Sequence, residues 1–403
     1  MLEWPRMLMR MARAVPAPHL AWLWSRRRDF QLQKHDGRVW VNTFFPPYPS
    51  NAFDRFIAAT RAIRRGRRVP TSAYLAVTAE CPFDCPHCSH AGRTDAEELT
   101  TQQWLDVIEE LRRLGTCIVG FTGGEPVLRS DLPQLVAAAG PEMATIVFTS
   151  GVQLGSREAD RLAEAGCDCV TVGIESADPD EHNRLRACGE GENSFAAASF
   201  AVEACRQAGI YTALSTVATH DKLNGEGLDA IYEMAREWGV GELRLLAPVA
   251  TGSKAGCEAF MLDEPERRRL SDFQARHNRR GDDPAVLSFA YMEGEHCFGC
   301  GAGFHHLFVD AHGELCPCDL TPMSFGNVTR QPLGEIWQGM ADRFRRPRRQ
   351  CIMGDLMANR NNAVAEELAT GPLPLPPELS ATLIAPSAPD APLPDGYRRI
   401  LDV

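Results

Sequence analysis

The chain has 403 residues, more than one ordinary domain, so two folded units with extensions are expected. Its 42 basic and 53 acidic side chains leave a net charge of −11, which argues against a general nucleic-acid binder. No apolar run approaches the ~20 residues of a membrane span, and fourteen cysteines in so long a chain point to metal or cluster ligation in a reducing cytoplasm, not to a disulfide-stapled fold.

Residues 1–70 form a basic, amphipathic extension. Arginines cluster at Arg6, Arg10, Arg13, Arg26 to Arg28 and Arg61 to Arg68, and again at Arg343 to Arg349. Such patches are ordinarily a solvated face, and can also meet an anionic membrane or substrate. Trp4, Trp22 and Trp24 beside the arginines suit a peripheral membrane contact or a helical lid packed on the rest. Pro16, Pro18 and Arg13 break the apolar stretches, which argues against a signal peptide.

Residues 71–292 alternate strand-like and helix-like stretches. A strand-like run at Tyr74 to Thr78 leads into C-P-F-D-C-P-H-C, with thiols at Cys81, Cys85 and Cys88. Three thiolates can hold a 4Fe–4S cluster and leave one iron without a protein ligand. Zinc is the alternative, with His87 or His90 as a fourth ligand. Thr101–Leu114 reads as an amphipathic helix capped by Thr100 or Thr101. The strand Cys117–Phe121 then ends in Gly123-Gly124-Glu125-Pro126. Glycines admit close approach to a ligand, and a carboxylate accepts from an ammonium; alone, the four residues are only a turn. Further strands are expected at 144–149, 168–174, 210–218 and 242–246, with helices at 156–165, 194–209 and 228–238. Repeated βα units predict a parallel sheet with outer helices. In such folds the active site lies at the carboxyl ends of the strands, where these motif residues fall.

The cysteine spacing together with the glycine turn resembles the radical S-adenosylmethionine (SAM) enzymes. The resemblance implies an α/β fold, a partial (β/α)6 barrel, with the open iron chelated by SAM and the G-G-E-P turn near its amino group. It places further SAM contacts at Ser150, Glu175, Ser176, Arg186, Ser194 and Val217, positions that ordinary strand-end capping also favours. The residue before the third cysteine is usually a carbocyclic aromatic in that family; here it is His87.

Residues 293–360 carry a second cysteine field: Cys297, Cys300, Cys316, Cys318 and Cys351. A strand-like run at 306–310 and a turn through Gly313 would bring distant thiols together as a hairpin. Cys300, Gly313 and Cys318 resemble the first half of a SPASM or twitch domain, a small β-hairpin-plus-helix iron–sulfur unit; a zinc ribbon is the alternative. No cysteine follows Cys351, so one auxiliary 4Fe–4S cluster is implied, held by Cys300, Cys318, Cys351 and either Cys297 or Cys316. Cys117, Cys167, Cys169, Cys188, Cys205 and Cys257 are expected to be buried small apolar residues. Residues 361–403 are a proline-rich tail or strap.

The resemblance implies an enzyme that takes an electron from a flavodoxin- or ferredoxin-like donor and cleaves SAM to a 5′-deoxyadenosyl radical. That radical abstracts hydrogen from an unactivated carbon. Peptide maturation is the leading class, although residues 1–70 show no winged-helix-like leader-binding pattern. A lipid, sugar or other small metabolite is the alternative, and a non-catalytic metal scaffold is a third class. Asp319, Glu293, Glu295 and His305 are candidate acids or bases, and Tyr291 a candidate hydrogen donor.

Overall fold

Strands apolar on both faces must be covered on both faces, and the chain supplies a helix after almost every one. The computed structural model describes residues 3–92, 96–187, 193–358 and 363–401. A hairpin of β1 (Gln33–His35) and β2 (Arg38–Trp40) precedes a nine-stranded sheet. Its strands are β3 (Ser72–Thr78), β4 (Ile118–Gly123), β5 (Ala144–Thr149), β6 (Cys169–Gly173), β7 (Tyr211–Val217), β8 (Glu242–Leu246), β9 (Ala285–Ser288), β10 (His306–Val309) and β11 (Leu315–Cys316). β3 to β9 lie side by side in chain order, all parallel. β3 to β8 are the six expected strands, and β9 extends the row. β10 pairs in parallel with the free edge of β3, and β11 turns back antiparallel on β10. The hairpin expected near residues 306–316 is therefore present, and it continues the core sheet.

The helices follow from their sequence. Helix Thr101–Leu114 starts with a capping box, Thr100 with Gln103, and stops at Gly115, whose φ of 99° ends it in the left-handed region. Trp104, Val107, Ile108 and Leu111 recur at helical spacing and are all buried against the sheet.

The first 70 residues fold onto the amino end of the barrel. Helices Glu3–Met11 and Ala17–Arg26 pack on one another, and helix Asn51–Arg64 adds Ala52 to the apolar cluster around Trp40 of β2. Trp40 is 1 % exposed and stacks on Tyr211 with ring centroids 4.3 Å apart. It shares an apolar cluster with Cys117, Ala144 and Cys169, residues at or just before the first positions of β4, β5 and β6. The Thr43 N–H and hydroxyl donate to the buried Glu242 carboxylate at 3.0 and 2.5 Å. Several arginines of this basic segment are structural. Arg10 pairs with Asp54, Arg64 donates to the Ala14 carbonyl, and Arg68 reaches the Gly303 carbonyl and lies over Trp337. Trp22 is buried and Trp4 half-buried, so of the three tryptophans Trp24 alone is largely exposed.

The proline-rich region is packed down as a strap. Leu375 N–H donates to the Pro322 carbonyl at 2.9 Å, and Leu373, Leu375 and Ile384 join the main core. Cys117, Cys167, Cys169 and Cys205 are buried as expected, whereas Cys188 lies outside the described residues. Cys257 is a correction. It is exposed, because it sits in a loop of short 3-10 turns between Gly252 and Phe260, outside the layered core.

Candidate active site

Parallel strands end together, so the residues just beyond them are delivered to one place. A cleft of about 230 Å³ at the carboxyl edge is lined by Cys81, Cys85 and Cys88 from the loop after β3 and by Gly123, Gly124 and Glu125 after β4. Ser150 after β5, Glu175 and Arg186 after β6, and Val217 at the end of β7 complete it. Pro126, Ser176 and Ser194 do not line it. The Ser176 hydroxyl donates to Glu181 at 2.6 Å, and that of Ser194 to Asn183 at 2.9 Å.

The cysteine loop is held by backbone. Cys88 N–H donates to the Cys85 carbonyl at 3.1 Å, and Ser253 N–H to the Cys88 carbonyl at 2.9 Å. Burial pushes the thiols of Cys81 and Cys85 up, Cys85 to about 11, with Arg186 opposing. A metal that replaces the proton would relieve this cost. The turn after β4 lies directly on the chain entering that loop. Gly124 N–H donates to the Thr78 carbonyl and Glu125 N–H to the Glu80 carbonyl, both at 2.8 Å. A Cβ on Gly123 or Gly124 would sit 2.2 Å from the Thr78 or the Glu80 carbonyl oxygen, so both positions demand glycine.

Two buried carboxylates organise the floor. Glu125 accepts from Ser150 N–H at 2.7 Å, the Ser150 hydroxyl at 2.5 Å and the Thr149 hydroxyl at 2.7 Å. Burial pushes its pKa up, against these donors. Glu175 accepts from Arg186 at 2.9 and 3.2 Å, His87 at 3.0 Å and Lys222 at 3.1 Å. Burial alone would raise its pKa; Lys222, Arg186 and His87 together hold it well below the usual carboxylate range. Arg186 can lie across the end of β6 because Gly173 has no side chain: a Cβ there would be 2.3 Å from Arg186 Nη2. Lys222 is a further member of this group that the sequence motifs do not mark. Its Nζ also donates to Thr216 Oγ1 at 2.8 Å and to the Val217 carbonyl at 2.9 Å. A lone lysine just past a strand end was the only signal.

A second cavity, of about 140 Å³, is lined at one end by Cys300, Cys318 and Cys351 with Glu293 and Asp319. The neighbouring Cys300 side chain holds Cys351 below the ordinary thiol range. His306, Cys318 and Asp319 present ligand atoms within 4.8 Å of one another. Neither Cys297 nor Cys316 lines this cavity. Cys297 packs with Met7, Trp22 and Ile400, and Cys316 on β11 packs with Ala76 and Phe308. Three thiols lining one cavity, one of them grouped with a carboxylate and an imidazole, form a donor set that fits a thiolate-ligated cluster. Burial beside Cys351 and Asp319 pushes Glu293 up to about 8. His305 also lines the cavity, pushed down to about 3 by burial, and shares a 2.8 Å hydrogen bond with Tyr397. Glu295 and Tyr291 do not line it. Glu295 pairs with Arg349, and the Tyr291 hydroxyl donates to Asp29 at 2.8 Å.

Comparison with known proteins agrees with this geometry. Residues 75–237 match the radical SAM superfamily, and residues 300–358 match the iron–sulfur cluster-binding SPASM domain. A PqqA peptide cyclase of Streptomyces rochei is 29% identical over 282 residues, 66% of this chain and 75% of the relative. Among solved structures, Streptococcus suis SuiB bound to the precursor peptide SuiA superposes with a TM-score of 0.56 at 16% identity, over 70% of this chain and 67% of that one. Native anSMEcpe with bound AdoMet gives 0.54 at 15% identity, over 82% and 95%. At such identities the structural likeness is one of fold.

Proposed function

Since this chain is a radical SAM enzyme carrying an iron–sulfur cluster-binding SPASM domain, we propose that it matures a peptide by removing hydrogen from an unactivated carbon. The observation that carries the reading is the convergence of Cys81, Cys85 and Cys88 with the Gly123-Gly124 turn in one strand-end cleft, beside a second thiol-lined cavity. The peptide class is supported by the relatives, which are PqqA peptide cyclases and the peptide-bound SuiB.

In this proposal Cys81, Cys85 and Cys88 hold a 4Fe–4S cluster with one iron left for SAM. When bound, these groups supply one-electron reduction and a carbon-centred radical; the protein supplies placement and exclusion of water. Gly123, Gly124, Ser150, Arg186 and Val217 line the SAM cleft, with Pro126 opening the turn behind it. Glu125 ties the ends of β4 and β5 together, and Glu175 ties His87 of the cysteine loop to Arg186 and Lys222. Ser176 braces the segment that carries Arg186, accepting from Asp178 N–H and donating to Glu181. Cys300, Cys318 and Cys351 hold one auxiliary 4Fe–4S cluster, and its fourth position falls to Asp319 or His306. Cys297 and Cys316 are left to the packing. The exposed Cys81 gives a flavodoxin- or ferredoxin-type donor a short approach to the first site. A non-catalytic scaffold would have no use for the glycine turn or for the charged hub on Glu175.

Anaerobic reconstitution with iron and sulfide, followed by SAM and dithionite, tests the reading. About eight irons per chain and formation of 5′-deoxyadenosine are expected. Zinc without iron, and no SAM cleavage, would overturn it.

A further inference from the structure

The second cavity is not uniform along its length. Its thiol end carries the carboxyl groups of Glu293 and Asp319. Another part of the lining, Met11, Val15, Leu23, Phe45, Phe56 and Ile63, all from residues 1–70, packs in apolar clusters separate from the one that holds the thiols and forms the cavity's apolar end. No Lys, Arg, Asp or Glu of that segment faces the cavity. The polar groups there offer no charge. The Thr60 hydroxyl is spent on the Phe56 carbonyl at 2.9 Å, and burial pushes His19 down to about 4, so it is neutral near pH 7. A charged ligand group would lose its water at this end without gaining a partner. An apolar one would gain by leaving water. The cavity adjoins the SAM cleft. Leu320 lines both, and Tyr74 of the cavity meets Phe148 of the cleft with ring centroids 5.0 Å apart.

We propose that the apolar end of this cavity binds an uncharged apolar group of the substrate, and that residues 1–70 set which group is accepted. The proposal rests on the radical SAM reading, because it treats the cavity as part of the substrate site. The wall belongs to neither matched domain, since the matches cover residues 75–237 and 300–358. It is therefore where this chain can differ from its relatives in what it accepts. An aromatic or aliphatic peptide side chain and an alkyl chain share the chemistry the wall selects.

The test titrates the reconstituted holoenzyme with N-phenyl-1-naphthylamine, a neutral probe that fluoresces in apolar surroundings. Saturable binding of one probe per chain is expected. Thr60→Phe, which fills the apolar end, should weaken it by about tenfold or more. Phe45→Ala, which widens the same end, should change the affinity in a protein whose melting temperature confirms folding. If Thr60→Phe fails to fold, Phe45→Ala decides alone. Displacement by the uncharged peptide N-acetyl-Phe-Leu-Phe-amide assigns the site to a peptide side chain, and displacement by decanol alone assigns it to an alkyl chain. Displacement by neither, non-saturable binding, or indifference to both substitutions in folded protein would overturn the proposal. Formation of 5′-deoxyadenosine by the wild type tests the underlying reading separately. If it forms and no probe binds, the cavity proposal fails alone.

Discussion

Glu175 has donors on both carboxylate oxygens: Arg186 and His87 on one, Lys222 on the other. The carboxylate is 2 % exposed, so each cation it loses leaves part of a buried charge uncompensated. Lys222→Met should cost about 1–3 kcal/mol of stability, less than the loss of a sole partner because Arg186 and His87 remain. It should also weaken SAM binding to the reconstituted protein, read as a rightward shift in the SAM dependence of the cluster's EPR signal. Unchanged SAM affinity would mean that Lys222 only packs. His182 stands behind the same hub, and its Nδ1 accepts from Glu175 N–H at 3.0 Å. Burial, with Arg186 adding to it, pushes His182 down from 6.5 to about 4. The unfolded chain thus takes up a proton below pH 6.5 that the folded one refuses until about pH 4. This contribution is whole above pH 6.5 and is lost as pH falls through that window, about 2–3 kcal/mol by pH 4.5. Urea midpoints of the wild type should fall more steeply with acid than those of His182→Gln; parallel curves would refute the assignment. These residue-scale roles were only half visible beforehand. Glu175 and Arg186 follow a strand end with the family's spacing. Lys222 is 47 positions from Glu175, and nothing in linear sequence marks that distance as a contact.

The ends of β4 and β6 illustrate how strands, not isolated residues, set the cleft. Gly173 ends β6 and leaves room for the Arg186 guanidinium, so Gly173→Ala must displace a partly buried, hydrogen-bonded group. A loss of about 1–3 kcal/mol is expected, with lowered SAM affinity. A variant that retained wild-type SAM binding would show that Arg186 can hold Glu175 from another position. The auxiliary hairpin makes the complementary case. Cys316 closes β11 and points into the packing with Phe308, while Cys318, past the end of the strand, reaches the cavity. Cys297→Ser and Cys316→Ser should each keep about eight irons per chain, and Cys318→Ser should lose about four. Iron analysis after reconstitution decides, and loss of four irons from either of the first two variants would make that thiol a ligand. Most elements were legible from alternation and caps: Ala144–Thr149 and Glu242–Leu246 fall where their apolar runs place them. Thiol direction was not, because cysteine spacing says which ligands can be near one another and not which way each side chain turns.

At the scale of the whole molecule, the sheet is one body whose two ends do different work. The family pattern made the barrel and its carboxyl-edge cleft legible. The pairing of β10 with β3 was hidden, because it joins residues more than 230 apart with no local signal. The fold of residues 1–70 was hidden too, since its apolar positions are interleaved with arginines that a sequence shows as a charged surface. In the structure this segment plugs the amino end of the barrel, and Trp40 is the plug's centre, stacked on Tyr211 and nearly inaccessible. The SAM cleft opens at the opposite edge of the same strands and includes neither ring. These facts separate two consequences of removing the indole. Trp40→Ala empties a large, fully enclosed volume, and the strand starts around it cannot collapse far without breaking the parallel ladder, so the loss should be near the upper range for aromatic truncations, about 3–5 kcal/mol. Below its lowered unfolding transition, the variant should bind SAM as the wild type does, because the strand ends that form the cleft are held by Glu125, Glu175 and the backbone pairs of the Gly123-Gly124 turn. Urea denaturation and SAM titration of the same reconstituted sample give both numbers. A stability loss under about 1 kcal/mol would show that the amino end is closed without Trp40. A fall in SAM affinity alongside the stability loss would show that the plug tensions the whole barrel, and the two ends would then have to be treated as one coupled element.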